Sequence, residues 1–284
     1  MDDNATMLSN YEFNLSDFAL FLSVMKNPRA YRSVLSIFLE EPDIELAEVK
    51  VEQVVLNKSG KRAIRLDAWA KSTDDRRFNM EMQNDSSKDD IRKRSRYYQG
   101  LLDSPILKSG KETRYKHLPS TVIIFITQDD IFGMDRAQYT FSEQCEEIAG
   151  LKLDDGTKKI FFNLTSKNGS QELISLLQYI KKTDIKNPDI IVKDERILEL
   201  DDIVQEVKAS EEWEAVKMNI LEIGIEKGTE IGIQRGLQQG LQQKLREQVE
   251  KKLKKGLSAA EITEMLEEDE AVIVQIIEKI KNNK

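Results

Sequence analysis

AIRLDAWAK at 63–71 and RFNMEMQN at 77–84, joined through Ser72-Thr73-Asp74-Asp75-Arg76, are the stretch on which the reading of the fold turns. Side chains alternate across a strand, so each half sorts into two faces. Ile64, Leu66, Ala68 and Ala70 point one way, and Arg65, Asp67, Trp69 and Lys71 the other. On the return, Phe78, Met80 and Met82 share the apolar side, while Asn79, Glu81, Gln83 and Asp85 share the polar one. A turn centred on Asp74 sets Leu66 against Met82 and Ala68 against Met80, which also sets Asp67 against Glu81. Slipping the pairing by one residue would throw one apolar set onto the wrong face.

Outward from this hairpin the same periodicities continue. VKVEQVVLN at 49–57, closed by the turn Asn57-Lys58-Ser59-Gly60, adds a strand and predicts a three-stranded antiparallel meander. Upstream, residues 14–40 read as two short helices, the second capped by Asn27 with Pro28 in its first turn. Downstream, 87–103 reads as a helix, with Ser87 and Asp90 spaced as a capping box and Ile91, Tyr98 and Leu102 as its inward stripe. STVIIFIT at 120–127 is β-branched and apolar enough for the middle of a sheet. A strand at 158–165 and a helix at 170–182 complete a compact domain expected at 1–187.

Past Asn187-Pro188 the chain becomes charged and helix-forming, giving an expected helical region at 188–255 and a small helical hairpin at 256–284. Gly224, Gly228, Gly232, Gly236 and Gly240 recur every four residues. Such a row drifts slowly around a helix, and each glycine costs about 1 kcal/mol of helix propensity against alanine. Two readings stay open, a weak linker helix or a close-packed seam that makes the protein a homo-oligomer through its C-terminal helices. The final hairpin has the size of a helix-turn-helix, but its second helix begins EDEAVIVQ, acidic where base edges would need donors. Capping or oligomerising the tail suits it better.

The 284 residues carry a net charge of −8, one cysteine (Cys145) and one histidine (His117). That excludes a disulfide framework, a thiolate zinc site and any multi-histidine metal site. The acidic start MDDNATMLSN lacks the basic, apolar character of a signal peptide, and no apolar run has membrane-spanning length. A cytoplasmic protein without membrane partners is expected. General adhesion to nucleic acid is disfavoured by the acidic balance, so contact with phosphates has to be local.

Like charges opposed in a sheet repel, and a divalent cation is the economical compensation. Mg²⁺ takes hard oxygen ligands and is commonly held by one or two carboxylates. Asp67 and Glu81 are the candidate ligands, with the Met82 carbonyl as a third donor and Mn²⁺ as a substitute ion. Gln83 is placed to orient a water, although its neutral amide cannot serve as a base. Many surface hairpins carry an Asp and a Glu by chance. Here Lys88, Arg92, Lys93, Arg94 and Arg96 follow within nine residues, beside Tyr97 and Tyr98. Arg92 and Arg96 lie one turn apart and reach the same side, so Arg92, Lys93, Arg96 and Tyr97 are the candidate nucleic-acid contacts.

With these residues in place, the chain resembles the Rpn family of recombination-promoting, transposase-like nucleases, a branch of the PD-(D/E)XK superfamily. The resemblance rests on Ser16-Asp17-Phe18, Arg65-Leu66-Asp67, Asn79-Met80-Glu81-Met82-Gln83, Arg94-Ser95-Arg96-Tyr97-Tyr98, the glycine row and Lys255-Gly256-Leu257-Ser258. It implies an α/β restriction-endonuclease-like core of order αβββαβ, Mg²⁺ as cofactor, and DNA as partner. Asp67 would be the motif aspartate, Glu81 the second acid, and Gln83 would stand at the lysine position. Asp17 is a candidate further carboxylate from the first helix. Leu66 replaces the motif proline, and Gln83 lacks the lysine charge. The resulting expectation is a metal-dependent DNA endonuclease linked to recombination or mobile elements. Its rival is a catalytically silent nucleic-acid-binding or interaction protein on the same fold.

Overall fold

The computed structural model describes residues 11–55, 63–107 and 114–282. The acidic start and the turn expected at 57–60 lie outside these. Helices α1 (Phe18–Met25) and α2 (Pro28–Phe38) come first. Asn27 accepts a hydrogen bond from the Arg29 amide at 2.9 Å and Pro28 takes the first turn, as the residue types require.

Strands β1 (Leu46–Val55), β2 (Ile64–Ser72) and β3 (Arg77–Gln83) form the antiparallel meander. Helix α3 (Ile91–Asp103) crosses over to β4 (Thr121–Thr127), which lies parallel to β3. Then come β5 (Gln138–Phe141), β6 (Thr157–Asn163) and α4 (Gln171–Lys181). The six-stranded mixed sheet has the order β1-β2-β3-β4-β6-β5, with β4 and β6 parallel and β5 antiparallel to β6. Every residue of β4 is buried, which is why its sequence is continuously apolar.

The sheet separates two cores. One packs α1, α2, α4 and α5 (Glu195–Lys208) against Ala68, Ala70, Phe78, Met80, Met82, Val122, Ile124, Ile126, Ile160 and Phe162. The other packs Ile91, Tyr98 and Leu102 of α3 against Trp69, Ile123, Phe125 and Phe161. The order helix, three strands, helix, strand and the α/β class are those expected.

Four expectations are corrected in detail. Helix α3 starts at Ile91 because Asp90, not Ser87, caps it, accepting from the Lys93 amide. Strand β5 is additional. Ile64 and Leu66 join the α3-side core rather than that of Ala68 and Ala70, so the alternation breaks at Asp67. Finally, the compact unit continues to Val216 instead of stopping at 187. Ile197, Leu200, Ile203 and Val204 of α5 and Trp213 are buried in the first core, which ties this charged segment to the sheet.

The second unit contains Lys217–Lys284. Helix α6 is continuous from Glu211 to Lys254, and α7 (Ala259–Leu266) and α8 (Glu270–Asn282) form the expected hairpin. Ser258 and Glu261 make a complete capping box, and Val249, Ile262, Ile273 and Ile277 are its buried centre. Among the described residues no helix is long and apolar enough to cross a membrane.

Candidate active site

The β2–β3 ladder pairs Lys71 with Arg77, Ala70 with Phe78, Trp69 with Asn79 and Ala68 with Met80. This is the register expected from the apolar spacing. Beyond Ala68 the ladder gives way to side chains. The Asp67 amide donates to Glu81 Oε1 at 3.0 Å, and the Met82 amide donates to Asp67 Oδ2 at 3.0 Å. Each carboxylate thus replaces a strand carbonyl as acceptor for the opposite strand. On the other flank, β1 pairs Val51 with Ala68 and Gln53 with Leu66, and the intervening Glu52 has a left-handed φ of 51°.

Both acids are buried, Asp67 at 7% exposure and Glu81 at 0%. Burial and then the negative charge of Glu81 push the Asp67 carboxyl up to about 8. Burial pushes Glu81 up as well, against the pull of Asn79, the Asp67 amide and Arg94. Glu81 is the better solvated by protein. Its Oε1 accepts from Asn79 Nδ2 at 2.9 Å as well as from the Asp67 amide, and its Oε2 accepts from Arg94 Nη2 at 2.8 Å. At neutral pH the metal-free pair therefore holds a proton, and the donor distribution puts it on Asp67.

Gln83 sits at the edge of this centre with both ends of its amide engaged. Its Oε1 accepts from Arg94 Nη1 at 2.8 Å and its Nε2 donates to the Asp85 carbonyl at 2.6 Å. Asp17 is occupied in its own turn, accepting from the Tyr11 hydroxyl at 2.9 Å and the Asn14 amide at 2.8 Å. Of the cations on α3, Arg92 and Lys93 are 65% and 77% exposed and lean only on Asp90. Arg96 is exposed and Tyr97 is 39% exposed. Arg94 alone turns inward, and a reading that treated the five cations as one patch missed it. The signal was present, since Arg94 lies three residues after Ile91 and four before Tyr98, on the buried stripe of α3. His117 is exposed in the short turn Tyr115–His117, and the Cys145 thiol donates to Glu147.

Among the described residues no group of three or more His, Cys, Asp or Glu side chains is arranged to hold a metal ion. The side-chain donors at the centre are two hard carboxylates, Asp67 and Glu81, the chemistry that Mg²⁺ accepts. Two buried acids that cannot both ionise unaided are also what a cation would relieve. The donor set fits a divalent ion.

A mixed sheet flanked by helices, with two facing acids on its second and third strands and a cationic crossover helix, defines the class of PD-(D/E)XK nuclease folds. Residues 17–219 match the family model of the PD-(D/E)XK nuclease family transposases, and the chain belongs to that family. No curated protein and no solved structure matches it.

Proposed function

We propose that the protein is a divalent-metal-dependent endonuclease that hydrolyses phosphodiester bonds of DNA, with Asp67 and Glu81 as its acidic pair. The observation that carries this reading is the buried pair of acids, each bonded to a main-chain amide of the opposite strand, with Glu81 also paired to Arg94. Asp67, Glu81 and the Met82 carbonyl would hold Mg²⁺ or Mn²⁺. A bound divalent ion supplies Lewis acidity, making a water more acidic and countering charge on the scissile phosphate. The N–H donors of Glu81 orient it and favour its charged form against the push of burial, and Asp67 gives up its proton when a cation takes its place. Arg92, Lys93 and Arg96, exposed on the outer side of α3, attract the flanking phosphates, and Tyr97 adds a ring face for a sugar or base.

Purified protein is expected to nick plasmid DNA with Mg²⁺ present, and Asp67→Ala to abolish nicking; equal cleavage by the variant would show that the centre is elsewhere. A silent binding protein is the second reading, favoured by Gln83 standing where a lysine is expected and by the engagement of both its amide ends. Calorimetry with Mn²⁺ separates the two, because a silent relative has no need to bind the ion. Self-association through α6 stays with the proposal, since Ile231, Ile233, Leu237 and Leu241 are exposed along it; light scattering tests it.

A further inference from the structure

The charge that residue 83 lacks lies beside it, on a different element. Arg94 reaches from α3 so that Nη1 donates to Gln83 Oε1 and Nη2 to Glu81 Oε2, each at 2.8 Å, while Nε donates to the Tyr98 hydroxyl at 3.1 Å. Its guanidinium carbon stands 5.2 Å from the centroid of the Tyr98 ring and 5.3 Å from that of Phe125. Three acceptors and two rings fix a side chain that is 22% exposed. Glu81 and Gln83 are alternate residues of β3 and so present their polar groups on one face, where a planar fork can take both. A lysine has three donors, but they sit on a single nitrogen at the end of a flexible stem and lack the fixed planar fork that matches both groups.

We propose that Arg94 is the positioning residue of this centre. It holds the Glu81 carboxylate and the Gln83 amide in one arrangement, and it delivers to position 83 the positive charge that β3 does not carry. The inference rests on the nuclease reading above for its catalytic consequence, but not for its geometry. Arg94 stays protonated at any working pH, so it takes no part in proton transfer and acts only through its two partners. The cost of losing it differs from the cost of losing Arg92 or Arg96, which would serve DNA binding.

Arg94→Lys in the full chain tests this, because it preserves a cation next to Glu81 and removes the bidentate grip. Its kcat on a DNA duplex is expected to fall by roughly 100-fold, the scale of losing one preorganised electrostatic contact, with KM changed less than about twofold. Arg96→Ala is expected to act the other way, on KM. A second readout needs neither metal nor cleavage. The Gln83 side-chain NH₂ signal in a ¹⁵N–¹H spectrum, identified by its loss in Gln83→Met, should shift in Arg94→Lys, where the amide oxygen loses its guanidinium partner, and stay in place in Arg96→Ala. Should Arg94→Lys not fold, Arg94→Gln combined with Glu81→Gln leaves no buried charge unpaired and should show the same signal shift. Parental kcat in Arg94→Lys, or an unmoved Gln83 signal, overturns the proposal. If the parent protein cleaves no DNA, the nuclease reading fails while the amide signal still decides the positioning role.

Discussion

Replacing Asp67 with asparagine should stabilise the metal-free protein while removing its activity, and the gain should depend on pH in a stated direction. Asparagine keeps the shape and can still accept from the Met82 amide, but it cannot ionise. In the unfolded chain Asp67 loses its proton near its ordinary value of 3.8, whereas in the fold it keeps it up to about 8. Between those limits the folded state binds more protons than the unfolded one, so stability falls as pH rises and the loss is complete above about 8. At a little over 1 kcal/mol per pH unit, the gap costs on the order of several kcal/mol at pH 8 and only a small part of that at pH 5. Asp67→Asn escapes both amounts. A unit of this size shifts its midpoint by roughly 2–4 °C per kcal/mol, so the variant should melt about 10 °C above the parent at pH 8 and only a few degrees above it at pH 5. Thermal unfolding with chelator present at both pH values measures this. An offset that is the same at both, or a variant less stable than the parent at pH 8, would refute the account of where the proton sits.

Two other predictions concern ions. Binding of Mn²⁺ at pH 7 should release on the order of one proton, because Asp67 must ionise to ligate; titrations in two buffers of different ionisation enthalpy should then give different heats, and identical heats would contradict it. The double variant Arg92→Ala, Arg96→Ala should bind duplex DNA more weakly and flatten the log–log salt dependence by about 2, since each lost phosphate contact removes about 0.9 from the slope. An unaltered slope would remove these two residues from the interface.

The sheet register was legible because Ala68, Ala70, Phe78 and Met80 share one core and leave few ways to bury themselves, and the pairings of Ala68 with Met80 and Ala70 with Phe78 follow. The break after Ala68 was not, because it depends on two carboxylates outcompeting carbonyls for amide protons, and no periodicity registers that contest. Helix α5 was read as tail because its charge masked Ile197, Leu200 and Val204, which recur at the spacing of a buried stripe. Strand β5 is four residues long in a polar stretch, and only the free edge of β6 makes it a strand. The acids were legible as a pair, whereas Arg94 was legible only as one cation among several. Which way a side chain on α3 turns is decided by what the crossover places beneath it.

The exchange of side-chain oxygens for carbonyls at the end of the β2–β3 ladder has a consequence for signalling within the sheet. An ordinary strand amide is held by a carbonyl, whose charge does not change, but the amides of Asp67 and Met82 are held by carboxylate oxygens, whose charge can. A change in the charge of either acid would therefore be expected to alter the protection of these two peptide groups. Backbone exchange at Asp67 and Met82 would then report on the acids without any label at the centre itself.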